Sequence, residues 1–109
     1  MQHSPDMVRT SDVTVRDNPA ELRYEARRGD TLLGQIRYRT EPGLVVLVHT
    51  DVATSVEGSG VGSALVAGAL DDIRSRGLHV VPVCPFVAAY IRRHPEYAPL
   101  VAPDPATPD

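Results

Sequence analysis

Three groups of residues have types and spacing that suit chemistry. The first is the turn Glu57-Gly58-Ser59-Gly60-Val61-Gly62-Ser63, between an apolar run and a segment with helical spacing. Glycines let a backbone approach a ligand closely, and free N–H groups at a helix start point toward an anion. Strand, turn and helix start together make a phosphate site. The second group is Cys84 followed by Pro85. Proline suits the first helical position, so the thiol would stand at a helix N-terminus, where the dipole favours thiolate. Such a thiol can accept an acyl group, or it can line a pocket, or it can be a small buried apolar residue. The third is His49, which closes the apolar run. An imidazole there could take a proton from an amine.

These groups need elements to hold them. Leu44 to Val48 is apolar on both faces and reads as a central strand. Glu21 to Arg28 alternates, with Leu22, Tyr24 and Ala26 on one face. Leu32 to Arg39 does the same with Leu32, Gly34, Ile36 and Tyr38. Opposed residues must share a face, so Tyr24 should pair with Ile36 and Leu22 with Tyr38. That makes Gly29-Asp30-Thr31 the loop; a two-residue turn would set Tyr24 against Gln35 and mix the faces. Val13 to Arg16 is a further short strand.

Val61, Leu65, Ala69 and Ile73 recur at spacing four, widened by Val66 and Leu70 into a helical stripe from Ala64 to Arg76. Gly77 is a natural left-handed cap. Leu78 to Val83 is the last strand, and a second helix runs from Pro85 to near His94, because the residue before Pro95 disfavours helical geometry. The expected order is β-β-β-β-α-β-α, an α/β domain over 12–98. The strands flanking the first helix should be parallel, with a right-handed crossover. Residues 1–11 read as a mobile arm and 99–109, rich in proline and aspartate, as a disordered or extended tail.

Composition removes several function classes. The chain has 109 residues and a net charge of −3; its basic residues are all arginine, with no long basic run, so nucleic acid is not the expected partner. No apolar stretch approaches the roughly 20 residues that span a bilayer, and no secretion leader is visible, so the expected compartment is the cytoplasm. One cysteine permits no internal disulfide, and with four scattered histidines gives no metal-ligand spacing.

Of the phosphate-binding turns, a P-loop requires Gly-Lys-Ser/Thr, and the chain has no lysine. A dinucleotide fold needs its glycines directly after the strand and an acid ending the next one; here Thr54 to Glu57 intervene and that strand ends in Cys84. Glu57-x-x-Gly60-x-Gly62 instead resembles the Gln/Arg-x-x-Gly-x-Gly/Ala signature of the GCN5-related N-acetyltransferases. His49-Thr50, Val80-Val81-Pro82-Val83-Cys84-Pro85, Tyr90 and Arg92-Arg93-His94-Pro95-Glu96-Tyr97 look like the small acetyltransferase-like family of YjdJ type. The likeness runs from Val13 to Val101.

The resemblance implies a reduced acetyltransferase fold: a mixed, mostly antiparallel sheet with splayed parallel strands and two helices. It implies acetyl-CoA as the acyl donor, with Gly58, Ser59, Gly60, Val61, Gly62 and Ser63 around its pyrophosphate. Val48 and Val83 would flank the pantetheine arm, and Arg93 and His94 would lie near the coenzyme. Cys84 would be the acyl acceptor or a pocket residue, and His49 the base. Glu57 departs from the signature, since a carboxylate beside a pyrophosphate is unfavourable unless it points away. Pro82, lacking an N–H, would mark the splay or else an edge strand. Asp17-Asn18-Pro19 leads straight into the next strand, where full-sized relatives insert helices, so the acceptor side should be open. The implied reaction is acetyl transfer to an unidentified amine; an open face suits a peptide or protein substrate, or a partner that completes the site. The alternative is an acyl-CoA-binding module without catalysis.

Overall fold

The computed structural model describes residues 12–103. Alternating sequence builds four antiparallel strands, β1 (Thr14–Asn18), β2 (Arg23–Arg28), β3 (Thr31–Glu41) and β4 (Leu44–Val52). Helix α1 (Val61–Ser75) carries the chain across to β5 (His79–Pro82), which pairs parallel to β4. Helix α2 (Pro85–Arg93) and a 3-10 segment (Pro95–Leu100) follow. The strand order is β1-β2-β3-β4-β5, so every neighbour in the sheet is also a neighbour in sequence. The expected order of elements and the mixed sheet are both present.

One face of the sheet carries the core. Tyr24, Ala26, Ile36, Tyr38, Val45, Leu47 and Val80 meet the α1 stripe, in which Val61, Leu65, Val66, Ala69, Leu70 and Ile73 are all buried. Val87, Tyr90 and Ile91 of α2 join the same cluster. A Cβ on Gly68 would lie 2.7 Å from Val15, so the missing side chain is what lets α1 approach β1 this closely. The far end of α1 is tied by polar contacts. Tyr24 donates to Asp72 at 2.7 Å and Tyr38 to Asp17 at 2.6 Å, while Arg76 bridges both carboxylates at 3.0 Å. Burial and these carboxylate partners push both phenols upward from the ordinary tyrosine value.

The opposite face has no helix over it among the described residues. Arg16, Glu25 and Gln35 lie there, with Arg23, Arg27, Arg37 and Arg39, as the register requires. Glu25 is buried among its neighbours: its carboxylate accepts from Arg23 at 2.7 Å, Arg27 at 2.8 Å and Asn18 at 3.0 Å. The chain passes from Asn18 to Arg23 by a short turn, without intervening helices.

Two irregularities correct the expected register. The β2–β3 turn is the tight Gly29-Asp30, since Arg28 pairs with Thr31. Tyr24 nevertheless pairs with Ile36, because Leu33 is an extra residue between the Ala26–Gly34 and Arg27–Leu32 pairs. A bulge adds one residue to one strand and so restores the facing that a two-residue turn would lose. Leu33, 3% exposed, takes the core position expected of Leu32, which is 37% exposed. Leu22 has positive φ and an exposed side chain, yet its carbonyl accepts from the Tyr38 amide at 2.9 Å.

The second bulge is in β4. Arg37 faces His49 and Tyr38 faces Leu47, which leaves Val48 without an opposite residue. β4 also runs four residues past its expected end, to Val52.

The domain also ends later than the expected boundary at 98. Leu100 is in the core, Val101 bridges to Val80, and the Ala102 amide donates to the Val80 carbonyl at 2.8 Å. Residues 1–11 and 104–109, read as arm and tail, lie outside the described residues. No helix among the described residues is long and apolar enough to cross a membrane.

Candidate active site

The turn after β4 is built for left-handed backbone. Gly58 has φ 81 and Gly60 has φ 91, and Gly60 is the N-cap of α1. Side chains other than glycine adopt such angles at a cost. The Gly60 carbonyl accepts from Ala64 at 3.0 Å, which closes the first turn of the helix. Among the described residues no side chain caps this N-terminus, and no acid stands in its first turn. The Gly62 and Ser63 amides therefore have no acceptor among the described residues, at the positive end of a 15-residue helix.

These amides border a groove of about 560 Å3. Thr50 and Val52 of β4 form one wall, Phe86 of α2 another, and Gly58, Gly60, Gly62 and Ser63 the end. Glu57 also stands at its rim, with its side chain exposed. A Cβ on Gly62 would come within 2.9 Å of the Phe86 ring, so the helix start and the ring are in close contact.

Beyond Leu47 the two parallel strands part. Leu47 and Pro82 are the last pair of the β4–β5 ladder. The next donor to the Leu47 carbonyl is the Cys84 amide, at 2.9 Å, while the Val83 amide turns back to Val81. Val83 is thus a surplus residue on one side of the opening, as Val48 is on the other. Pro82 stands at this splay and on an edge strand at once. His79 donates toward β4, to Gly43, and the Val80 carbonyl faces the other way, to Ala102. By alternation the Pro82 nitrogen faces away from β4, where a missing N–H breaks no ladder bond.

Cys84 is the N-cap of α2, with Pro85 in the first turn, as the sequence predicts. Its sulfur is buried and lies 3.3 Å from the Thr50 hydroxyl. His49 does not reach it. The bulge puts Val48 and His49 together on the helix-free face and turns Thr50 to the core face, opposite Ile36. There His49 Nε2 is 2.9 Å from Asp51 Oδ1, in solvent. The two residues expected to do chemistry are therefore on opposite sides of the sheet, one on each side of the splay.

The other expected site residues divide. Gly58, Gly60, Gly62 and Ser63 line the groove. Ser59 does not, because its amide and its hydroxyl both turn back to the Val56 carbonyl. Val61 is core, 1% exposed. Val48 and Val83, 38% and 54% exposed, flank the splay and not the groove. Arg93 and His94 are at the opposite end of α2 from Cys84, about 10 Å along the helix axis from Phe86. His94 stacks on Tyr90 with ring centroids 4.0 Å apart, and its Nδ1 is 3.9 Å from Glu96. Tyr90 itself packs in the core, as expected. Thr50, Val52 and Phe86 form groove walls that the sequence reading does not assign.

A family model for GCN5-related N-acetyl-transferases matches residues 23–100. Among solved structures, the chain is similar to the NMR solution structure of a GCN5-like protein from Staphylococcus aureus. Their TM-score is 0.64 at 20% identity, over 84% of this chain and 90% of that one, which is a likeness of fold. The chain belongs to the GCN5-related N-acetyltransferases, a family of acyltransferases.

Proposed function

We propose that this protein moves acetyl from acetyl-CoA to an amine. The observation that carries this reading is the uncapped start of α1, opening on a groove lined by Thr50, whose hydroxyl is 3.3 Å from the Cys84 sulfur behind it. Amides of a rigid helix start bind a diphosphate without reorganising. The wall of Val52 and Phe86 suits the apolar stretches of a pantetheine arm. The Gly62 and Ser63 amides, with the Gly58–Gly60 turn, take the pyrophosphate. Ser59 and Val61 serve through backbone shape, since their own groups are engaged elsewhere.

The acceptor side is the helix-free face. Val48 and Val83 rim the splay there, and His49, steadied by Asp51, is the base on that side. Cys84 on the inner side is the acyl acceptor of a covalent route. An amine that comes to the outer face meets no wall of helices, which suits a substrate as large as a peptide or protein.

The test uses labelled acetyl-CoA. Label trapped on the protein and lost in Cys84→Ser supports the covalent route; label on an added amine with no trapped protein supports direct attack with His49 as base. Binding with no transfer to thiol or amine would make the protein an acyl-CoA-binding module. A ligand at 100 times its Kd stabilises a fold by about 2.7 kcal/mol. A melting temperature unmoved by millimolar CoA would end the coenzyme reading altogether.

A further inference from the structure

We propose that Thr50 is the positioning residue of Cys84, holding its sulfur behind the groove wall that Thr50 forms and donating a hydrogen bond to it as charge develops there. This rests on the covalent reading above and names the residue that would make it work. Thr50 borders the groove, and its hydroxyl is 3.3 Å from Sγ. Among the described residues no other side chain is hydrogen-bonded to Cys84.

The surroundings of the sulfur leave this hydroxyl a specific task. The Cys84 backbone is pinned at both ends, its amide on Leu47 at 2.9 Å and its carbonyl on Ala88 at 3.0 Å. What remains free is the side-chain torsion. Threonine is β-branched and stiff at χ1, so a threonine on a paired strand presents its hydroxyl from a fixed direction. Cys84 is 3% exposed, so water does not readily solvate its sulfur. An anionic sulfur in such a place needs a donor, and a preorganised donor is worth more there than in water. The Val48 bulge supplies it. Strict alternation from Leu47 would put His49 on this face; the extra residue puts Thr50 there instead.

The step balances as a thioester exchange. The Cys84 sulfur attacks the acetyl carbonyl, the new bond forms between acetyl carbon and Sγ, and the bond from that carbon to the CoA sulfur breaks. The proton that leaves the cysteine thiol ends on the CoA thiol. The amine then takes the acetyl group, and Sγ regains a proton from the amine nitrogen. Thr50 is not consumed; its hydroxyl hydrogen stays on oxygen throughout.

The experiment compares wild type, Thr50→Val and Thr50→Ser by three measurements. These are CoA affinity, the rate of Cys84 acetylation by acetyl-CoA followed by intact mass, and the rate of Cys84 alkylation by iodoacetamide at pH 7. Thr50→Val keeps the shape and loses the donor. It should bind CoA within about twofold of wild type and acetylate and alkylate at least about tenfold more slowly, the scale of one hydrogen bond to a charged group. Thr50→Ser keeps the donor and should recover both rates to within about threefold. A valine variant that reacts like wild type overturns the assignment, and so does a serine variant as slow as valine, which would make the methyl group the part that matters. If the valine variant does not fold, the serine variant and Thr50→Ala decide by the same rates. Should wild type bind CoA and never acquire acetyl on Cys84, the covalent reading falls and Thr50's role with it. Should wild type be acetylated and Thr50→Val match it, Thr50 alone is refuted.

Discussion

Gly62 and Phe86 are in a contact that leaves no room for a methyl group: a Cβ on Gly62 would lie 2.9 Å from the ring tip and 3.2 Å from the adjacent ring carbon. The ring tip is the far end of a side chain that can swing, so the fold has a cheap way out and the groove does not. Gly62→Ala should therefore cost less than about 1 kcal/mol of stability while weakening CoA binding severalfold, as the displaced ring moves into the groove. Adding Phe86→Ala should recover part of that loss, short of wild type because the ring is also a groove wall. Calorimetric titration of the single and double variants checks it; a double variant no better than the single would show that the ring is not the obstacle.

Ser63 separates helix stability from anion binding. It is exposed, in the first turn of α1, on the groove. A carboxylate there favours the helix by roughly 0.3–1 kcal/mol but repels a phosphate at the same amides. Ser63→Asp should leave the melting temperature equal or higher and reduce CoA affinity about tenfold. Equal affinity in the variant would move the pyrophosphate off this helix start.

Glu25 makes stability depend on acid. The Arg27, Asn18 and Arg23 hydrogen bonds hold its carboxyl down to about 2, from an ordinary value of 4.5. Because the folded value is the depressed one, its contribution is fully present above about 4.5 and is lost as pH falls through about 2. Urea melts of wild type between pH 6 and pH 2.5 should show falling stability, and Glu25→Gln should flatten that slope while lowering stability at pH 6. Parallel slopes for the two proteins would remove Glu25 from the account.

Leu100 tests where the domain stops. Its side chain is in the core, and the next residues bridge to Val80. Leu100→Ala should cost about 2–4 kcal/mol, and a chain stopped after Ala98 should lose more, since it also loses the Val101 and Ala102 contacts. Chemical denaturation measures both. A truncated chain as stable as the full one would restore the earlier boundary.

Periodicity carried the fold a long way. The α1 stripe is legible because spacing four needs no partner to be read, and all six of its apolar positions are buried. The glycine turn is legible because positive φ selects glycine at Gly58 and Gly60. Bulges are not written in one strand alone: Val48 is surplus only relative to Arg37 and Tyr38, and Leu33 only relative to Ala26 and Arg27. The sequence reading accordingly favours His49 over Thr50 and Leu32 over Leu33. The tail misleads for another reason. Its prolines suggest an extended end from Pro99 on, yet the 3-10 segment that begins at Pro95 runs through Pro99 and carries Leu100 into the core. Tyr97 donates to Asp71 at 2.8 Å, and burial with that contact pushes its phenol up to about 12.

The bare side of the sheet has a chemical consequence. Val46 is 2% exposed yet stands outside the core cluster, directly opposite Arg39. Arginine stems can shelter such a valine and leave their guanidinium groups as the outermost layer. Away from the exposed Val48 and Val83 at the splay, a visitor to this side meets guanidinium groups before it meets the sheet. Its docking there will weaken as ionic strength rises.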